Sequence, residues 1–154
     1  MKKPTAKAKA SITRKQLIDL LNGDLAREYQ AIIAYVNYSQ VLKGAEYMHI
    51  AKELEKHAAE ELRHAILIAQ QIDYLGGDPT VVPAKVRTSK KPKEMLQFDL
   101  NNENDTVRNY RDRVVQCESL GEFAMAEHIR EILKDEQEHR IDLAAALGIE
   151  VPAL

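Results

Sequence analysis

The chain has 154 residues and a formal net charge of −2, which fits one domain with a single core and gives no overall charge for binding nucleic acid. With 45% apolar and 30% charged residues it is typical of an ordered soluble protein. No apolar run reaches the ~20 residues that a membrane span needs. No apolar segment follows the basic N-terminus, so a secretory signal is not expected. Its one cysteine, Cys117, excludes an internal disulfide framework and a thiolate metal site, and fits a reducing cytoplasm.

Residues 1–12 are rich in lysine and alanine and are expected to form a basic flexible tail. Apolar residues then recur at helical spacing, as with Leu21, Leu25 and Ile32. Glycines separate four predicted helices, which run from about Ile12 to Lys43, Ala45 to Tyr74, Lys93 to Leu120 and Glu122 to Leu147. We therefore expect an all-α domain over residues 13–148, followed by a short C-terminal tail over 149–154.

The three connections between these helices differ in length. Single glycines, Gly44 and Gly121, join the first helix to the second and the third to the fourth, so each pair is expected to be an antiparallel hairpin. Between the hairpins lie residues 77–92, which include three prolines. This linker can extend ~53 Å, whereas a helix of ~28 residues measures ~42 Å. A four-helix bundle with one long crossover is predicted. Two independent hairpins are the alternative, but each would leave an apolar face in water.

An internal repeat carries the chemistry. Shifting the sequence by 75 residues aligns a Leu-x-x-Asp-Leu-x-x-Glu-x6-Tyr segment, residues 21–35, with the same pattern at residues 96–110. The same shift aligns the two Glu-x-x-His motifs of residues 61–64 and 136–139. Six residues therefore form two copies of one set: Glu28, Glu61 and His64, and Glu103, Glu136 and His139.

The spacing of these residues points to a metal centre. Glu61 and His64 are three positions apart and lie on one helical face, while Glu28 falls in an apolar stripe and should project inward. Four inward carboxylates are costly to bury alone, and two divalent cations would balance them. Oxygen donors with two imidazoles and no thiolate favour iron, with manganese possible, over structural zinc. This ligand set is the one described for di-iron bundles.

Several residues near these six also need an interpretation. Glu60 and Asp135 precede the glutamates of the two motifs and either accept a hydrogen bond from a ligand histidine or are solvated. Tyr35 and Tyr110 either donate to a metal-bound carboxylate, which we favour, or act in electron transfer. His57, one turn before Glu61, could be an extra or transient ligand. His128 has no partner in the repeat and is expected at the surface.

The motifs resemble those of a known family. The stretch ILKDEQEH, residues 132–139, is similar to the fourth-helix motif of bacterioferritin, and Asp99-Leu100-x-x-Glu103 is similar to its third-helix motif. The resemblance covers about residues 15–145 and implies a ferritin-like four-helix bundle with ferroxidase activity, in which dioxygen or hydrogen peroxide oxidises Fe(II). The implied ligand arrangement is Glu61 and Glu136 bridging two irons, with Glu28 and His64 on one iron and Glu103 and His139 on the other. Tyr35 matches the tyrosine close to the bacterioferritin centre.

Three departures from bacterioferritin qualify the function that the resemblance implies. Leu62 stands where bacterioferritin has its haem-binding methionine, which argues against haem. Only 15 residues follow His139, too few for the fifth helix of a 24-subunit cage, so a homo-oligomer is expected but a dimer is an alternative to a cage. The basic tail is similar to those of DNA-protecting mini-ferritins, although their iron site has other ligands.

Three functions therefore stay open. Iron oxidation for storage or detoxification is the leading interpretation. A non-storing di-iron oxidase or peroxidase of rubrerythrin type is the first alternative, although the chain lacks a four-cysteine rubredoxin module. DNA protection through the lysine-rich tail is an alternative of another class.

Overall fold

The computed structural model describes residues 12–154, and within that range it contains four long helices and no strand. The helices are α1 (Arg14–Val41), α2 (Met48–Tyr74), α3 (Pro92–Ser119) and α4 (Phe123–Leu147). None of these helices is long and apolar enough to cross a bilayer. The predicted basic tail lies outside the described residues except for Ile12, which packs against the core. The domain boundaries stay a prediction.

Local chemistry fixes the ends of the helices within a few residues of the predicted positions. Thr13 caps α1, because its Oγ1 accepts a hydrogen bond from the backbone N–H of Gln16 at 3.1 Å and its own N–H donates to Gln16 Oε1 at 2.9 Å. Pro92 begins α3, and Gly148 ends α4 with a φ of 70°. The second helix begins later than predicted, because residues 45–47 form a 3₁₀ turn.

The four helices form two antiparallel hairpins, α1 with α2 and α3 with α4. Between the hairpins, α1 packs against α3 and α2 packs against α4. Apolar side chains fill each end of the bundle: one cluster is centred on Leu21, Ile68 and Ile129, and the other on Tyr38 and Leu96. The middle of the bundle, between the two clusters, contains buried polar side chains instead.

The segment between the hairpins lies along α1. Near the start of α1, Asn22 Oδ1 accepts a hydrogen bond from the backbone N–H of Thr80 at 2.7 Å. Near its end, the Tyr38 hydroxyl donates to the backbone carbonyl of Arg87. These contacts are 16 positions apart on the helix, about 24 Å at 1.5 Å per residue. The predicted all-α four-helix bundle with one long crossover is therefore confirmed.

Candidate metal centre

All six residues predicted as ligands converge in the polar middle of the bundle. Each is at most 3% exposed, and every helix contributes at least one of them. They are Glu28 of α1, Glu61 and His64 of α2, Glu103 of α3, and Glu136 and His139 of α4. The repeat therefore places one glutamate on α1 and α3 and one Glu-x-x-His motif on α2 and α4.

The first group surrounds Nδ1 of His64. This nitrogen lies 3.2 Å from Glu61 Oε2, 3.3 Å from Glu136 Oε1 and 3.5 Å from Glu28 Oε2. One ligand atom from each of these four residues lies within 4.8 Å of all the others. The spacing is suitable for one metal ion.

The second group surrounds Nδ1 of His139 in the same way. This nitrogen lies 2.9 Å from Glu61 Oε1, 3.1 Å from Glu136 Oε2 and 3.8 Å from Glu103 Oε1. Glu61 and Glu136 therefore present one oxygen to each group. This is the geometry of two adjacent cation positions that share two carboxylates.

The hydrogen bonding of the ligand atoms tests whether these groups fit cations. His139 Nδ1, Glu61 Oε1 and both carboxylate oxygens of Glu136 are buried and form no hydrogen bond, although they lie close to one another. Unpaired buried polar groups cost several kcal/mol in an apolar setting. These converging oxygen and nitrogen atoms can be satisfied by cations, so the residues fit a pair of metal ions.

A crossed pair of acidic residues orients the two histidines. Nε2 of His139 lies 2.8 Å from Glu60 Oε2, and Nε2 of His64 lies 3.0 Å from Asp135 Oδ2. Each acidic residue therefore contacts the histidine of the other hairpin. A carboxylate at Nε2 favours the tautomer with its proton there, which leaves the Nδ1 lone pair directed at the centre.

The two tyrosines form a second crossed pair. The Tyr35 hydroxyl donates to Glu103, and the Tyr110 hydroxyl donates to Glu28. Burial, followed by the charge of the nearby carboxylates, raises the pKa of both phenols well above the usual value. Both phenols therefore stay protonated, and each can hold the one glutamate, Glu103 or Glu28, that belongs to a single ligand group.

Without metal, burial and crowding shift the shared glutamates towards their protonated forms. Burial, with the charges of Glu103 and Glu28, raises the pKa of Glu136 to about 8. Burial and the Glu136 charge raise the pKa of Glu61 well above its usual value. Burial acts in the same direction on Glu103, but its close contact with His139 and the charge of that imidazole lower its pKa to about 2.

The same carboxylates also shift the pKa values of the two imidazoles of the centre. Burial alone would lower the pKa of His64 and of His139, but the surrounding glutamates raise both above the usual value. The metal-free centre therefore holds protons at neutral pH that bound cations would displace.

A buried ion pair beside the centre was missed by the sequence analysis. The Arg113 guanidinium donates to Asp24 from Nε at 2.6 Å and from Nη2 at 3.1 Å. The 75-residue shift places Tyr38 opposite Arg113, so Asp99, the counterpart of Asp24, lacks this guanidinium. Asp99 Oδ2 is buried without a hydrogen-bond partner, and burial raises the pKa of Asp99 well above its usual value. The signal in the sequence was an arginine within an apolar helical stripe.

The remaining predicted residues take different positions. His57 is buried and stacks on His139 with ring centroids 4.0 Å apart, but it belongs to neither ligand group of the centre. The ring of His128 is 42% exposed, as expected for a surface residue. Leu62 is 52% exposed on α2, away from the centre.

Comparisons with known proteins show which family the chain resembles. A family model described as a ferritin-like domain matches residues 18–150. The bacterioferritin of Brucella melitensis is 30% identical over 144 residues, which cover 88% of each chain. The bacterioferritin of Desulfovibrio desulfuricans is 30% identical over 127 residues, which cover 82% of this chain and 71% of that protein.

Two solved structures resemble the whole bundle. Ferritin-like, diiron-carboxylate proteins from Bacillus anthracis superpose with a TM-score of 0.84 at 30% identity, covering 91% of this chain and 99% of that one. A dodecameric thioferritin, the bacterioferritin-related protein from Bacteroides fragilis, superposes with a TM-score of 0.82 at 27% identity, covering 90% of this chain and 88% of that one.

Proposed function

The chain belongs to the ferritin-like domain family, and from this premise we propose that it binds two Fe(II) ions between its four helices and oxidises them. The observation that carries the proposal is the pair of ligand groups around His64 and His139, which share Glu61 and Glu136. Four carboxylates with two imidazoles suit both iron and manganese. Two adjacent positions would let a pair of Fe(II) ions be oxidised together. The expected outcome is storage or detoxification of iron.

Each part of the site has a role in this reaction. Glu61 and Glu136 would be shared by the two ions, Glu28 and His64 would hold one of them, and Glu103 and His139 would hold the other. Two Fe(II) ions supply the two electrons that reduce dioxygen with two protons to hydrogen peroxide, or hydrogen peroxide with two protons to water. Tyr35 and Tyr110 hold the unshared glutamates by hydrogen bonds, and the apolar clusters at the two ends of the bundle exclude bulk water.

Haem has no ligand at the position that the bacterioferritin resemblance indicates. Leu62 offers a hydrocarbon side chain that cannot bind iron, and it lies on the outer face of the α1–α2 hairpin. We therefore propose that iron is held by the carboxylate and histidine ligands alone.

The same outer face supports assembly into a homo-oligomer. Ile33 and Val36 of α1 and Leu62 and Ile66 of α2 are 46% to 62% exposed in the single chain. An apolar face of this kind is typical of an interface between subunits. One related protein is a dodecamer, and twelve chains of 17.5 kDa would have a mass of about 210 kDa, against about 35 kDa for a dimer.

The test combines iron loading with particle mass. Anaerobic titration of the apoprotein should give two Fe(II) per chain, and addition of dioxygen or hydrogen peroxide should oxidise them rapidly. Glu61→Gln and Glu136→Gln should lose rapid oxidation, whereas the exposed control Glu127→Gln should keep it. Retention of many Fe(III) ions on a particle of about 210 kDa supports storage.

Other outcomes would overturn parts of the proposal. Unchanged oxidation in Glu61→Gln would contradict the assigned centre. A stable dimer that consumes hydrogen peroxide without retaining iron would contradict storage and indicate an oxidase or peroxidase of rubrerythrin type.

A further inference from the structure

Side chains able to bind metal continue from the centre towards solvent along one face of α2. His49, Glu53, His57 and Glu61 follow one another at intervals of four residues, so they lie in one row on the helix. Asp142 of α4 faces this row, with its Oδ2 3.1 Å from His57 Nε2. The row joins the buried Glu61 to the surface of the α2–α4 side.

His57 is the residue in this row that needs an explanation. It is only 3% exposed, and its Nδ1 is buried without a hydrogen-bond partner. Its ring stacks on that of His139 with an interplanar angle of 27°. A buried imidazole with a free nitrogen is costly unless something binds it.

Two groups of possible ligands share His57. Glu53, His57 and Asp142 offer atoms within 4.8 Å of one another, and so do His57, Glu60 and His139. The first group can be reached from solvent, because the Asp142 side chain is 38% exposed and a surface cleft is lined by Glu53 and Asp142. The second group contains the histidine of the metal centre. His57 therefore connects the surface to that centre.

The other half of the repeat has no equivalent arrangement. The 75-residue shift places Ile132 opposite His57 and Leu67 opposite Asp142. Ile132 is buried in the apolar cluster, and Leu67 packs against it. Because an isoleucine fills the matching space in the other half, packing alone does not require a histidine at position 57.

We propose that Glu53, His57 and Asp142 form a third divalent-cation site, which receives metal from solvent and passes it to the centre beside Glu60 and His139. Its use for Fe(II) rests on the proposed function, whereas the site itself does not. Lys56 Nζ lies 2.7 Å from Glu53 Oε1 and neutralises part of the charge of the Glu53 carboxylate. Three ligands, one of them shared with a lysine, make a weaker site than the four-ligand groups of the centre, as transfer requires.

Crystals of the whole protein soaked in Co(II) would locate the sites by anomalous scattering. Two peaks in the centre and a third among Glu53, His57 and Asp142 are expected. Peaks in the centre alone would overturn the third site and leave the proposed function intact. A peak at the third site alone would support that site and contradict the proposed function, and no peak would contradict both.

Variants test the ligands and the transfer separately. His57→Ala and Asp142→Asn should remove the third Co(II) per chain while the two central ions stay bound. Asp142 is partly exposed, so Asp142→Asn keeps the test valid if His57→Ala fails to fold. Loss of a ligand or its support should weaken the third site by about tenfold or more.

Transfer predicts a kinetic effect that depends on iron concentration. At low Fe(II), Asp142→Asn should oxidise iron several-fold more slowly than the unmodified protein, and saturating Fe(II) should restore the rate. The matched control is His128→Ala, because His128 is an exposed histidine on α4 with Glu131 4.0 Å away and stands opposite Glu53 in the repeat. Equal rates for Asp142→Asn and the control at low Fe(II) would contradict transfer through this site.

Discussion

Nε2 of His139 lies 2.8 Å from Oε2 of Glu60, an acidic residue on the opposite hairpin. The same relationship joins His64 to Asp135 at 3.0 Å. Each residue that precedes a shared glutamate thus orients the histidine of the other half of the repeat. The two hairpins are therefore coupled through the surroundings of the ligands as well as through the ligands themselves.

We expect Glu60→Gln and Asp135→Asn each to weaken one cation position. The amide no longer carries the charge that favours the Nε2–H tautomer, and such changes typically cost about 10-fold to 100-fold in metal affinity. Co(II) titration monitored by visible absorption measures both affinities. Glu138→Gln is a matched control, since Glu138 adjoins His139 in sequence but is exposed. Equal affinities in all three variants would show that the acidic residues do not orient the histidines.

Tyr35→Phe and Tyr110→Phe should have similar effects. Each removes one hydrogen bond to one unshared glutamate, a contact to a charged group worth about 1.5–3 kcal/mol. Both variants should therefore lower the thermal stability of the apoprotein and slow Fe(II) oxidation by comparable factors. A tyrosyl radical seen by rapid-freeze EPR, and lost only in Tyr35→Phe, would instead assign electron transfer to Tyr35.

Metal affinity should rise with pH. The pKa values of Glu61, Glu136, His64 and His139 all lie above their usual values, that of Glu136 at about 8, so cations must displace protons at neutral pH. Calorimetric titration with Co(II) in buffers of different ionisation enthalpy measures this release. A binding enthalpy that does not depend on the buffer would contradict it.

The same shifts give a sign for the stability of the apoprotein. A group whose pKa is raised by folding stabilises the folded state below its unfolded value, and this contribution is lost as the pH rises through the folded value. The two glutamates therefore lose this contribution from about pH 4.5 upwards, Glu136 as far as about pH 8, and the two histidines add to the loss from about pH 6.5 upwards. Glu28 and Glu103, whose pKa values are lowered, titrate below this range. The melting temperature of the apoprotein should fall from pH 5 to pH 8, and that of the Co(II)-loaded protein should fall less.

The buried pair of Asp24 and Arg113 predicts a test of stability. Arg113→Met leaves the Asp24 carboxylate buried without its partner and should lower the free energy of unfolding by about 3 kcal/mol or more. The double variant Asp24→Leu, Arg113→Met removes both charges and should lose less. Urea unfolding of the apoprotein measures both, with the exposed Arg111→Met as control. A double variant less stable than Arg113→Met would contradict this account.

The sequence determined the features that depend on spacing along one helix. Apolar residues at intervals of three and four residues predicted the four helices, and glycines marked their ends. The 75-residue repeat predicted the six residues that meet in the middle of the bundle. Residues three apart share a helical face, and glutamates that point inward from both halves of the repeat meet in the shared interior. The predicted ligands come together as expected, and their binding of metal stays a prediction.

Only the tertiary structure decided which residues meet across helices. Hydrogen bonds from Tyr110 to Glu28 and from His139 to Glu60 join positions about 80 residues apart, and they depend on the rotation of each helix against its neighbours. Sequence spacing shows which face of each helix turns inward, but it does not show which residue of a neighbouring helix that face meets. Arg113 and His57 have no counterparts in the repeat, but only the packing shows that Arg113 pairs with Asp24 and that His57 lies against His139.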